Sequence, residues 1–216
     1  MTGRTAAGRS GIVPPMAGRW VFGYGSLVSP VSFAHTLGRA LTPGVDFFEA
    51  ELAGYGRRWN YGTDVTFTAV GPDGVERSDW VFVALGLVDA PGEVTNGVIG
   101  WVGDDELAAL DLRERRYDRV DVTTRITLGP GAAPVVGAAS IVTYVPRADP
   151  IAAYEEAKER GVAAITARYW DLVDEAFDDL GPGRRARYRE TTPDPGLPVL
   201  AQADAEVPER HRGRRA

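Results

Sequence analysis

Apolar residues in the first half of the chain fall in short, dense runs, whereas much of the second half repeats them at helical spacing. Residues 19–23 alternate weakly and carry Trp20, Val21 and Phe22, which predicts a strand running directly into a glycine turn at Gly23 to Gly25. Residues 30–37 predict a short helix. Residues 45–52 and the aromatic stretch 54–61 predict extended chain with turns. Residues 80–88 form a dense β-branched and aromatic run and 97–102 another, with Pro91-Gly92 punctuating between them.

Helical signals follow. Asp104 is placed to cap an N-terminus, Asp105 and Glu106 complement the dipole, and Leu107 and Leu110 share a face that one more turn extends to Glu114. Residues 117–128 alternate as a strand through Val120, Val122 and Ile126, and 135–145 form a second apolar run that includes Tyr144. From Pro150 the pattern turns helical, with Asp149 as N-cap. Ile165, Leu172, Ala176 and Leu180 then form one stripe that Gly181-Pro182 stops. Several strands before a helical C-terminal third predict an α+β fold, with helices on one side or end of a mostly antiparallel sheet or barrel. The expected organisation is a flexible segment at 1–18, one domain at 19–191 and an irregular tail at 192–216.

Composition narrows the chemistry. At 216 residues, with 44% hydrophobic and 25% charged residues, the chain reads as globular. The lack of cysteine removes thiolate nucleophiles, iron-sulfur clusters and cysteine-ligated zinc, and His35 and His211 are the only imidazoles, so no metal site is expected. A net charge of −6 opposes sequence-independent attraction to nucleic acid. The arginine clusters at 184–189 and 210–215 are read as a solvated helix end and a loose tail. Residues 1–18 lack the apolar core of a secretory signal, and no run approaches the length of a membrane span, so neither nucleic acid nor membrane is an expected partner and a cytoplasmic location is expected.

Gly23-Tyr24-Gly25 first suggests a nucleotide loop, but the dinucleotide fingerprint needs a third small residue where Val28 stands, and no Gly-Lys-Ser/Thr ending follows. A nucleophile elbow around Ser26 would need glycine in place of Tyr24 and Val28, and its base would have to be His35. Glu114 is the remaining candidate. At the end of an apolar helical face it is expected to be partly desolvated, which raises a carboxyl pKa toward the range useful for proton transfer. The alternative is a Glu engaged by Arg113, Arg115 or Arg119, and spacing alone does not separate the two.

Together, Phe22-Gly23-Tyr24-Gly25-Ser26-Leu27, Gly54-Tyr55 with Trp59-Asn60, Pro91-Gly92 with Asn96-Gly97-Val98, and Leu110-Asp111 with Arg113-Glu114 and residues 117–122 resemble the γ-glutamylcyclotransferase-like superfamily, in order, over residues 20–192. The resemblance implies a small twisted mixed β-barrel or sheet with flanking helices and a pocket between the barrel mouth and the loop. It implies that Tyr24, Gly25, Ser26 and Leu27 bind a γ-glutamyl small molecule and that Glu114 is the general acid/base releasing 5-oxoproline, with no cofactor. Tyr144 loosely matches a pocket tyrosine of the family, while Tyr117, Trp59 and Asn60 are read as structural. The continuation Val28-Ser29-Pro30 departs from the glutathione-specific branch, so the amine half of the substrate stays open. A non-catalytic metabolite-binding module and acyl transfer through Ser26 are the competing classes.

Overall fold

The computed structural model describes residues 17–202. The predicted first strand is β1 (Gly18–Gly23), and a 3₁₀ turn at Ser26–Val28 leads into α1 (Pro30–Leu37), where the Ser29 hydroxyl accepts from the Ser32 amide and Pro30 opens the first turn. Two long strands follow, β2 (Phe47–Val70) and β3 (Glu76–Gly103). Then come α2 (Asp104–Arg113), β4 (Tyr117–Asp121), β5 (Ile126–Leu128), α3 (Ala133–Val136) and β6 (Ile141–Pro146). The last elements are α4 (Ala148–Glu159), β7 (Ala163–Thr166), α5 (Ala167–Asp179), α6 (Arg184–Glu190) and β8 (Val199–Leu200).

The strands form one mixed sheet in the order β4-β6-β1-β3-β2-β5, with β7 alongside β3 and β8 alongside β7. β1 runs antiparallel to β3 and parallel to β6, so it sits in the middle of the sheet. The expected barrel is corrected to an open sheet. Its two edges, β4 and β5, are five and three residues long, which offers little backbone with which to close the ring. The expected helical C-terminal third is also mixed, because β7 and β8 interleave with α4, α5 and α6. Of the segment expected as a tail, 192–202 is without regular structure apart from β8; 203–216, with His211 and the second arginine cluster, lies outside the described residues, as does 1–16.

A straight 24-residue strand such as β2 would reach about 80 Å, far more than a domain this size can accommodate. Four register shifts bend the β2–β3 hairpin instead. One of them explains why residues 80–102 form one strand rather than two. Ala53 pairs with Val94 and Tyr55 with Asp89, so Pro91-Gly92 bulges out of the ladder opposite Gly54, and both glycines take positive φ.

The core is built on β1 and the hairpin. Trp20 is fully buried, edge-on to Phe48 at 5.7 Å and to Trp101 at 5.5 Å. Helix starts differ slightly from expectation: Gly103 rather than Asp104 caps α2, where its amide donates to the Glu106 carboxylate, and Arg147 rather than Asp149 caps α4. The buried residues of α5 are Val173, Ala176 and Phe177, which shifts the predicted stripe, because Ile165 belongs to β7 and Leu180 caps the helix. Among the described residues no helix is long and apolar enough to cross a membrane.

Candidate active site

Every element that shapes the site meets at the C-terminal end of β1. Gly23 ends the strand in a turn so tight that a Cβ there would lie 2.7 Å from the Leu27 Cβ. The loop is held from both sides. The Thr143 hydroxyl on β6 donates to the Phe22 carbonyl at 3.0 Å, and the Tyr24 hydroxyl reaches across to the Tyr144 carbonyl at 2.8 Å. On the β3 side, a Cβ on Gly97 would come within 2.3 Å of the Gly23 carbonyl oxygen. Gly97→Ala is therefore expected to push the loop off β3 and cost about 1–3 kcal/mol, read as a lower denaturant midpoint. An unchanged midpoint would mean that the loop is not pinned by this contact.

Beyond Gly25 the backbone closes its 3₁₀ turn, using the Val28 and Ser29 amides toward the Gly25 and Ser26 carbonyls. Tyr169 from α5 faces this turn, and burial pushes its hydroxyl up to about 12. The same hydroxyl explains the second glycine of the loop, since a Cβ on Gly25 would stand 3.0 Å from it.

Glu114 faces this loop. It is the C-cap of α2, with its amide donating to the Leu110 carbonyl and its own carbonyl accepting from the Tyr117 amide, both at 2.8 Å. Its side chain is 14% exposed. Burial raises its pKa, and the neighbouring Arg113, with Nε 3.1 Å from Oε1, opposes that rise. The two readings that spacing left open thus hold at once: Glu114 is desolvated and it is paired. Arg119, the more distant candidate partner, pairs with Asp111 instead.

One small cavity of about 40 Å³, partly open to solvent, is lined by residues 22–27 on one side and by Glu114, Tyr117, Tyr144, Tyr169 and Leu85 on the other. The sequence-derived residues Tyr24, Gly25, Ser26, Leu27, Tyr144 and Glu114 all border it. Tyr144 offers its ring, because its hydroxyl donates to Asp111 at 2.7 Å. Tyr117, read from sequence as structural, lines the cavity and stacks on Tyr61 with centroids 4.5 Å apart. Tyr169 went unnoticed; its signal was its place four residues before Val173, on the buried face of α5. Ser26 Oγ accepts from Arg113 Nη2 at 2.8 Å, while His35 lies exposed in a separate groove with Arg168, so the Ser26 and His35 pairing weighed from sequence is not assembled.

This architecture, an open mixed sheet whose central strand ends in a glycine loop, is shared with solved structures. A solved structure named Gamma-glutamyl cyclotransferase superposes with a TM-score of 0.52 at 13% identity, over 82% of this chain and 89% of that one. An uncharacterized protein from Homo sapiens superposes with a TM-score of 0.55 at 16% identity, over 83% and 90% of the two chains. Identities this low establish a shared fold. No family model and no curated protein matches the chain in sequence.

Proposed function

We propose that the protein is a γ-glutamylcyclotransferase that releases 5-oxoproline from a γ-glutamyl amine, amino acid or peptide. The observation that carries this reading is the placement of a desolvated carboxylate, Glu114, across one small cavity from the loop of residues 23–27.

A γ-glutamyl amide carries its own nucleophile. Its α-amino nitrogen can reach the δ-carbonyl carbon and close a five-membered ring, so catalysis consists of holding the folded substrate and moving protons. Glu114 takes a proton from the α-ammonium as the new C–N bond forms. It returns that proton to the departing nitrogen as the original amide bond breaks, giving 5-oxoproline and a free amine. Loop amides near Gly25, Ser26 and Leu27 face the developing oxyanion, each well-aimed donor contributing about 3 kcal/mol in comparable sites. The rings of Tyr24, Tyr117, Tyr144 and Tyr169 exclude water and keep Glu114 basic enough to accept a proton near neutral pH.

The test is 5-oxoproline release from a panel of γ-glutamyl amines, amino acids and dipeptides by the wild-type chain. Release from at least one member supports the reading. Saturable binding with no release from any member overturns it in favour of a binding module.

A further inference from the structure

Arg113 and Glu114 are consecutive, and consecutive helical residues point away from each other. They meet here because Arg113 is the last residue of α2 while Glu114, with φ −93° and ψ 26°, has already left the helical conformation. The guanidinium is thereby turned toward three different parts of the molecule. Its Nη2 donates to Ser26 Oγ of the loop at 2.8 Å, its Nη1 donates to Thr36 Oγ1 of α1 at 2.6 Å and to the Ser32 carbonyl at 3.2 Å, and its Nε stands 3.1 Å from Glu114.

We propose that Arg113 is a positioning residue that fixes the Glu114 carboxylate relative to the Ser26 loop, acting through α1 as an anchor. This rests on the reading of Glu114 as the acid/base. The planar fork of an arginine is needed, since only a group with several donors in fixed directions can hold a carboxylate, a loop hydroxyl and a helix hydroxyl together. A lysine at the same position supplies the charge but not the fork.

Arg113 is also the sole ion-pair partner of Glu114 among the described residues. The other titratable groups facing the carboxylate are Tyr24 from the loop, Tyr61 from β2, Tyr117 from β4, Tyr144 from β6 and Tyr169 from α5, each of whose hydroxyls it raises. On the solvent side Arg113 shares a groove with His35, Arg168, Asp171 and Glu175. Tyrosines stay neutral through the working range, so removing Arg113 leaves the desolvation of Glu114 opposed by little else.

The test compares Arg113→Gln and Arg113→Lys with the wild type by two readouts. The first is the titration of Glu114 followed by NMR of chain labelled with ¹³C at glutamate side chains, with Glu114→Gln assigning the signal; it needs no turnover. Arg113→Gln is expected to move that titration to higher pH, and Arg113→Lys to leave it near the wild-type position. The second is the rate on any substrate that the wild type turns over: both variants are expected to lose about 10–100-fold in kcat with a smaller change in KM. A Glu114 titration unmoved in folded Arg113→Gln, or full kcat in Arg113→Lys, overturns the proposal. Should the wild type release no 5-oxoproline, the titration still decides whether Arg113 controls Glu114, so the two failures stay distinct.

Discussion

Glu114→Gln is expected to lower 5-oxoproline release by about 10²–10⁴-fold, the usual contribution of a placed acid/base group, while the fold is retained. The glutamine keeps the shape of the side chain at the end of α2 but can neither accept nor return a proton. Under the proposed mechanism the ionised carboxylate is the base, so kcat/KM should rise with pH through a limb displaced upward from the ordinary carboxylate range by the burial of Glu114. That limb should be missing from the residual activity of the variant.

Stability should move the other way. Because the folded chain binds this proton more tightly than the unfolded one, wild-type stability declines as pH climbs from the unfolded pKa of Glu114 through its raised folded value, and the cost is complete above it. Glu114→Gln removes that titration. The variant should melt higher than the wild type at neutral pH, with the difference shrinking in acid. Rates equal to the wild type would remove Glu114 from the mechanism, and a variant that melts lower at neutral pH would contradict the desolvation argument.

Arg57→Ala is expected to cost about 2–4 kcal/mol of folding stability. Arg57 is fully buried on β2, and burial pulls its guanidinium down to about 10, still charged at neutral pH. It has no carboxylate partner among the described residues. Instead it donates to Thr192 Oγ1 at 3.0 Å and to the carbonyl and side chain of Asn96, and it lies 4.8 Å and 4.9 Å from the ring centroids of Phe177 and Tyr188.

Those rings, stacked on each other at 4.6 Å, belong to α5 and α6, so one side chain ties both helices and Thr192 to the sheet. Truncation opens a cavity beneath the stack and strands the Asn96 carbonyl. Arg57→Met, which keeps much of the volume and removes the cost of burying a charge, should lose less than half as much. Denaturant midpoints measure both variants; equal losses would show that charge, not volume, holds the helices.

The part of the site nearest β1 was legible because its signals are local. Trp20, Val21 and Phe22 announce a strand, and Gly23 and Gly25 announce a turn that admits no side chain. Glu114 was legible as a candidate through the spacing from Leu107 and Leu110, but its pairing was not, because a residue leaving the helix at the C-cap no longer obeys helical geometry. Tyr169 was hidden for a different reason. It reaches the loop from a helix 140 positions away, and its helix begins at Ala167, which put the predicted stripe out of phase. The continuous β2–β3 hairpin was read as separate pieces because Pro91-Gly92 and Gly54, which normally end strands, are here absorbed into one register shift. A buried Arg57 could not be anticipated, since arginine is almost always a surface residue.

The two ties that hold the loop to β6 span 120 and 121 positions of chain, whereas the β2–β3 hairpin closes through its own turn between Val70 and Glu76. Closing long stretches of chain is slow, and local pairing is fast. As the polypeptide leaves the ribosome, the hairpin therefore has what it needs to form while Tyr144 has yet to be made. The cavity is completed only when β6 arrives beside β1 and α5 brings Tyr169 to the loop, and until β6 arrives the Tyr24 hydroxyl has no carbonyl to hold it and the nascent chain carries a shaped sheet without a site.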